Sequence, residues 1–201
     1  GQMAFHDSDV ELFDSYFFNA KADDALNIKN SKIKINNCIF FNNKADGLDG
    51  DSIQGSIKFS SFINNKGDGI DLSFSKVLSQ DNIIINTGDK GISAGEVSKV
   101  LVVNNVIKNS DIGIASKDNS EVEITNSLLI QNNIALSAYQ KKQIFGGGIF
   151  KFYNSILFNN KINTSLDNLS KLIGESIITD KKFEFDINRS LIVDASFENL
   201  S

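Results

Sequence analysis

Apolar residues recur along this chain at one fixed interval. Steps of 22 residues connect Leu26, Leu48, Ile70, Ile92, Ile114 and Leu136, and a small residue precedes each: Ala25, Gly47, Gly69, Gly91, Gly113 and Ala135. Eight positions earlier lies a second apolar column, Phe18, Phe40, Phe62, Ile84, Val106 and Leu128. Large apolar residues at one phase of every repeat mark a continuous core. Two polar columns accompany them: Lys21, Asn43, Asn65, Thr87, Asn109 and Gln131, and then Tyr16, Cys38, Ser60, Asn82, Asn104 and Asn126. Amides stacked in this way can hydrogen-bond from coil to coil, as Asn and Gln ladders do.

Each unit therefore predicts two short strands around a tight Asn/Gly/Asp turn. A third, less regular run follows, as in Ile33-Lys34-Ile35, Ile57-Lys58-Phe59 and Val100-Leu101-Val102-Val103. Three short strands per unit without an amphipathic helix describe an all-β, single-stranded parallel β-helix with coils about 4.8 Å apart. A leucine-rich repeat has a similar period but expects Leu-x-x-Leu-x-Leu and one Asn per unit. Two Asn-type columns, and Ile and Phe in excess of Leu, favour the β-helix.

The interval breaks once. Asn126, Leu128 and Gln131 match Asn154, Ile156 and Asn159 at a spacing of 28, so six residues are inserted within a loop at 139–148. Insertions in a solenoid leave it as loops on one flank, often the binding flank. The expected organisation is an N-terminal tail over 1–9, coils over 10–165, and irregular coils with a cap over 166–201. Within the last, Ser176-Ile177-Ile178 opens a further coil and Ser190 to Val193 forms a final strand. Gly1-Gln2-Met3 reads as a cloning remnant. A stack needs its exposed end covered, so the reading expects a piece of a longer protein whose preceding segment supplies the cap.

Composition narrows the partners. A net charge of −5 and a pI near 4.9 argue against nucleic acid, which needs a basic face. The single cysteine, Cys38, excludes an intrachain disulfide framework and a Cys-based zinc site. No apolar run approaches the roughly 18 residues that a membrane-spanning helix needs. The absence of proline fits strands that donate hydrogen bonds on both sides.

Candidate chemistry follows from alternation. If the ruler residue points inward, the next position and the one two further on point outward. These outward columns are Asn27, Asp49, Asp71, Ser93, Ala115, Ser137 and Lys29, Asp51, Ser73, Gly95, Lys117, Tyr139, with Asp24, Asp46, Asp68 and Lys90 in the adjoining turn. Asp46, Asp49, Asp51, Asp68 and Asp71 could converge on a hard cation such as Ca²⁺, which takes oxygen ligands. Lys90 or Lys117, with carboxylate neighbours, could act as general base or acid on a sugar chain. Asp71, Glu96, Asp118, Tyr139, Lys141 and Lys142 are the expected glycan contacts. Against both readings, turns require Asp and Gly for backbone reasons, and solvated faces carry charge in any case.

The ladder from Val10 to about Asn160 resembles the right-handed parallel β-helix repeats of the pectin lyase-like superfamily, whose members mostly act on or bind extracellular polysaccharides. That resemblance implies a right-handed solenoid of seven to eight coils. Within it, GDGIDL (67–72) and NTGDKGIS (86–93) look like the polygalacturonase pattern of Asn-Thr-Asp, an Asp-Asp pair, Gly-His-Gly and Arg-Ile-Lys. Asp68 and Asp89 match acidic positions, but Lys90 replaces the second acid, Ile112-Gly113-Ile114 lacks the histidine, and Arg189 comes too late. These departures argue against polygalacturonase activity. The superfamily's Ca²⁺-dependent lyases, which pair aspartate-bound Ca²⁺ with a lysine base, are less excluded. An alginate-type epimerase would want Asp-Pro-His, and the one histidine, His6, lies in the expected tail.

GDKGISAGEVS, IGIASKDNS and ALSAYQKKQIFGGG (88–148) are also similar to β-helix segments of large bacterial surface proteins, some of which accompany spore-coat-H-type kinase-like domains. The resemblances together imply an extracellular or cell-surface module that binds or presents polysaccharide beside other domains of a longer chain. No cofactor is required and Ca²⁺ is an option. The alternative is a polysaccharide lyase using the same face.

Overall fold

The computed structural model describes residues 2–21, 23–180 and 197–199. Its first coil holds β1 (Met3–His6), β2 (Val10–Phe13) and β3 (Tyr16–Phe18), and its second β4 (Leu26–Lys29), β5 (Lys32–Asn36) and β6 (Ile39–Phe41). The third holds β7 (Leu48–Asp51), β8 (Gln54–Lys58) and β9 (Ser61–Ile63), and the fourth β10 (Ile70–Ser73), β11 (Lys76–Gln80) and β12 (Ile83–Ile85). Next come β13 (Lys90–Gly95), β14 (Lys99–Val103) and β15 (Val106–Lys108), then β16 (Ile112–Lys117), β17 (Glu121–Thr125) and β18 (Leu128–Ile130). In the seventh coil β19 (Ile134–Tyr139) precedes β20 (Ile149–Phe158), a long strand that turns a corner at Asn154 (φ 44°). The eighth has β21 (Ile162–Leu166) and β22 (Lys171–Thr179), which pairs with β23 (Phe197–Asn199).

Every pairing is parallel, and the strands make three sides. The first side runs β1-β4-β7-β10-β13-β16-β19-β21. The second runs from β2 through β5, β8, β11, β14 and β17 to the first half of β20. The third returns from the second half of β20 through β18, β15, β12, β9 and β6 to β3. This is a right-handed parallel β-solenoid of about eight turns and about 22 residues per turn, with no helix among the described residues.

Two segment expectations are corrected. Met3–His6 is not a tail but the first strand, in register with Leu26–Lys29, because Phe5 continues the apolar column of Ile28. The coils also stay regular beyond 166, since β22 pairs with β20 from Ile149↔Lys171 to Leu157↔Thr179 and contains Ser176-Ile177-Ile178. Ser190 to Val193, Lys181, Lys182 and Arg189 lie outside the described residues.

On the first side the ruler holds. Leu26, Leu48, Ile70, Ile92, Ile114 and Leu136 are paired in register and fully buried. On the third side the buried column is Phe17, Phe40, Phe62, Ile84, Ile107 and Leu129, so Phe18, Val106 and Leu128 point outward, contrary to expectation. Local turn lengths explain the slip. In the fifth and sixth coils the turn after the first side has two left-handed residues, Glu96-Val97 and Asp118-Asn119, where Ser52 or Phe74 stands alone earlier. In these two coils the turn back to the first side is one residue shorter and the ruler recovers, whereas in the first coil it is the return from Phe17 to Leu26 that is one residue longer and turns Phe18 outward. A one-residue slip exchanges the faces of a strand.

The same slip relocates the polar ladders. Buried Asn65 accepts the Asn43 amide N–H at 3.3 Å and its side-chain NH₂ at 2.8 Å. Asn160 accepts the N–H of Asn132, Asn105 that of Asn82 and Asn82 that of Ser60, at 2.9, 2.7 and 2.8 Å. Serines do likewise at the remaining corner, where Ser98 and Ser120 accept the N–H groups of Ser75 and Ser98. Asn104, Asn109, Asn126 and Gln131, expected in the buried ladders, instead occupy the neighbouring left-handed positions. Asn suits that backbone, because its short side chain tolerates φ > 0.

Inside, Phe17, Phe40 and Phe62 stack at 4.8 and 4.5 Å with their rings nearly parallel. Outside, the third side presents two columns: Tyr16, Ile39, Ser61, Ile83, Val106, Leu128, Ile156 and Phe18, Phe41, Ile63, Ile85, Lys108, Ile130, Phe158.

Candidate functional site on the first side

The acidic turn column of the first side has a backbone role. Asp24 accepts the N–H of Asp46 (3.4 Å), Asp46 that of Asp68 (2.6 Å) and Asp68 that of Lys90 (2.8 Å). Lys90 ends this aspartate ladder. Its ammonium folds back to Asp68, 3.5 Å away, and to Asp89. Burial alone would lower its pKa, but the two carboxylates outweigh that and hold it above the ordinary lysine value.

Asp71, on the outward face of β10, joins the ladder from the side. Asp46, Asp68 and Asp71 each offer an oxygen within 4.8 Å of the others. Burial, reinforced by this crowding, lifts the Asp68 carboxyl to about 7 and that of Asp46 to about 6. Asp49 also rises to about 6 through burial and the charges of Asp24 and Asp71. However, Asp49 lies outside the group of three and accepts a hydrogen bond from the Asn27 amide. Asp51 turns to Lys29 at 3.1 Å.

Lys117 comes to the cluster from two coils away. Its buried side chain crosses Gly95, where an added Cβ would sit 3.3 Å from Cε, and its ammonium reaches 4.0 Å from Asp71 Oδ1. Gly95 is thus a slot for the lysine. Sequence reasoning missed this, and the only available signal was a glycine in a column otherwise made of polar and charged residues. Ser93, Ala115 and Ser137 are also buried although they face outward, so neighbouring groups cover the middle of this side.

The inserted loop is a strap. Asp118 Oδ1 accepts the N–H groups of Lys141 and Lys142 at 2.7 and 2.8 Å, and Asn119 accepts that of Gly146 at 2.8 Å. Asp167 and Ser170 hold Gln140 and Gly148 from the other side. The strap then reaches back, pairing Lys142 with Glu96 and setting the Phe145 ring edge-on to Phe74, 6.4 Å between centroids. Hydrogen bonds from Lys142 and Ser73 overcome the desolvation of Glu96 and keep its carboxyl below the usual range. Of the expected glycan contacts, buried Asp118 anchors the strap, Glu96 and Lys142 neutralise each other, and Lys141 is exposed at the rim. Half-buried Tyr139 lies within the field of Lys90 and Asp89, and burial raises its phenol pKa. A separate groove of about 360 Å³ lies on the second side between Gln54, Lys76, Lys99 and Glu121 and contains none of these carboxylates.

The donor set suits a hard cation. Three carboxylate oxygens within 4.8 Å of one another can share one ion at about 2.4 Å, leaving half or more of a Ca²⁺ shell to other oxygens. Asp71 Oδ1 is buried and has no hydrogen-bond donor, a position a cation would satisfy.

Taken together, the geometry defines a parallel solenoid with one acidic side crossed by lysines. Residues 24–177 match the family described as the right-handed β-helix region, and the chain belongs to that family. In general terms this fold supports the carbohydrate-active β-helix proteins. No curated protein matches the chain.

Proposed function

We propose that this chain is an extracellular carbohydrate-associated module, carried beside other domains of a longer protein, and that it binds acidic polysaccharide along its first side. The observation that carries the reading is the convergence of Asp46, Asp68 and Asp71 within 4.8 Å, next to a buried lysine 4.0 Å from Asp71. Buried and partly buried carboxylates with raised pKa values are costly, and such groups concentrate at functional sites. Asp46, Asp68 and Asp71 would hold Ca²⁺, which supplies positive charge for a uronate carboxylate. Lys117 and Tyr139 would bind the sugar flanking it.

Titration calorimetry with polygalacturonate and alginate tests the reading. Binding should require Ca²⁺, vanish in chelator, and fall at least tenfold in Lys117→Ala and Tyr139→Ala. Unchanged binding in both variants would exclude this face.

A lyase is the second reading, favoured by the buried position of Lys117 beside Asp71. Lys117 rather than Lys90 would accept the proton, because Asp68 and Asp89 keep Lys90 protonated. Growth of unsaturated-product absorbance with acidic polysaccharide and Ca²⁺ checks it, and a flat trace across a broad panel would leave the binding module.

A further inference from the structure

We infer that the third side is a self-association surface through which two copies of this chain pack face to face. Fourteen side chains point outward there over seven coils, and Ser61 and Lys108 alone are not apolar or aromatic. Tyr16 is 68 % exposed, Phe18 56 %, Ile83 44 %, Phe41 42 % and Phe158 40 %. A large side chain offers roughly 150–250 Å², so these five and their half-buried neighbours expose on the order of 800 Å². That exceeds the largest patch on a typical monomer, roughly 300–600 Å². It also equals the roughly 800 Å² that each partner brings to a standard interface.

The shape and rim fit such a partner. A strip seven coils long runs about 30 Å at normal strand spacing, and two sheet faces pack about 10 Å apart with interdigitated side chains. Along one edge Asn86 bonds Asn64 and Asn109 bonds Asn86, at 2.9 and 3.1 Å. Along the other, Asn37 bonds Asp14 and Asn104 bonds Asp81. This is an apolar centre with a satisfied polar rim, the anatomy of a protein interface.

Charge selects the partner. The chain carries −5 overall, yet the strip itself has no carboxylate and one cation, and the carboxylates along its edge, Asp14 and Asp81, accept hydrogen bonds from Asn37 and Asn104, so the centre of the contact is free of negative charge. An anionic lipid surface would want a basic flank, and a glycan would want more hydrogen-bonding groups than Tyr16, Ser61 and Lys108 supply across the strip. Ile83 lies in the middle coil of the seven, so a two-fold pairing brings it near its own counterpart.

Sedimentation equilibrium tests this. The wild-type chain should reach twice its 22.1 kDa mass, and Ile83→Glu should sediment as one chain with an unchanged circular dichroism spectrum. Leu101→Glu, on the exposed second side, should leave the dimer intact. Ile83→Cys supplies a readout independent of variant stability: mild oxidation should yield a disulfide-linked dimer, with Cys38 buried and out of reach. A wild-type protein that stays at one chain mass at its highest soluble concentration would overturn the inference. So would equal dissociation by Leu101→Glu, or failure of Ile83→Cys to cross-link.

Discussion

Replacing Asp68 with Asn tests whether the carboxylate cluster costs the fold stability at neutral pH. Asp68 is buried, and desolvation, with Asp71 and Asp46 adding to it against the pull of Lys90, raises its carboxyl from 3.8 to about 7. From about pH 4 to 7 the folded chain therefore keeps a proton that the unfolded chain has released, and stability falls as pH rises through that window. A gap of about three pH units at ~1.4 kcal/mol each sets the loss at pH 8 on the order of 4 kcal/mol. Asn keeps an oxygen to accept the Lys90 N–H, now bonded at 2.8 Å, and removes the charge. In urea unfolding with chelator present, Asp68→Asn should exceed the wild type by roughly 1–2 kcal/mol at pH 5 and by up to about 4 kcal/mol at pH 8. Asp46 and Asp49 leave a smaller decline in the variant. Glu96 and Asp167, whose carboxyls hydrogen bonds hold below the usual range despite some desolvation, oppose the trend only in acid, where their stabilisation is lost as pH falls through their folded values. A variant that loses as much stability between pH 5 and 8 as the wild type would refute the argument.

Three further outcomes are expected. Phe40→Ala removes a side chain stacked on both Phe17 and Phe62 and should cost about 3–5 kcal/mol in urea unfolding. Asn65→Ala leaves the Asn43 N–H and the Phe40 carbonyl without their amide partner and should cost about 2–4 kcal/mol by the same measurement, at roughly 1 kcal/mol or more per orphaned group. A loss under half a kcal/mol would show that the ladder is dispensable. Gly95→Val fills the slot crossed by Lys117; calorimetry should show weakened glycan binding while the urea midpoint moves little.

The amino-acid sequence by itself determined the solenoid, its period, the inward ruler and the site of the insertion. Each follows from apolar periodicity, which every coil must obey to bury its share of one core. It could not locate Phe17 over Phe18 or Ile107 over Val106. At the two corners flanking the third side a left-handed residue and a ladder residue are adjacent and both are often Asn, and in the fifth and sixth coils a turn one residue longer is offset by one that is shorter. Only the paired strands show which of the two lies inside. The acidic side was legible as columns of Asp, because register carries like positions into contact. Its detail was not, since the reach of Lys117 across Gly95, the use of Asp118 to pin the strap, and the pairing of Lys142 with Glu96 depend on side-chain directions between coils. The apolar third side likewise emerged only once the slipped residues were turned outward, because alternation gives a strand two faces and the tertiary register decides which one meets solvent.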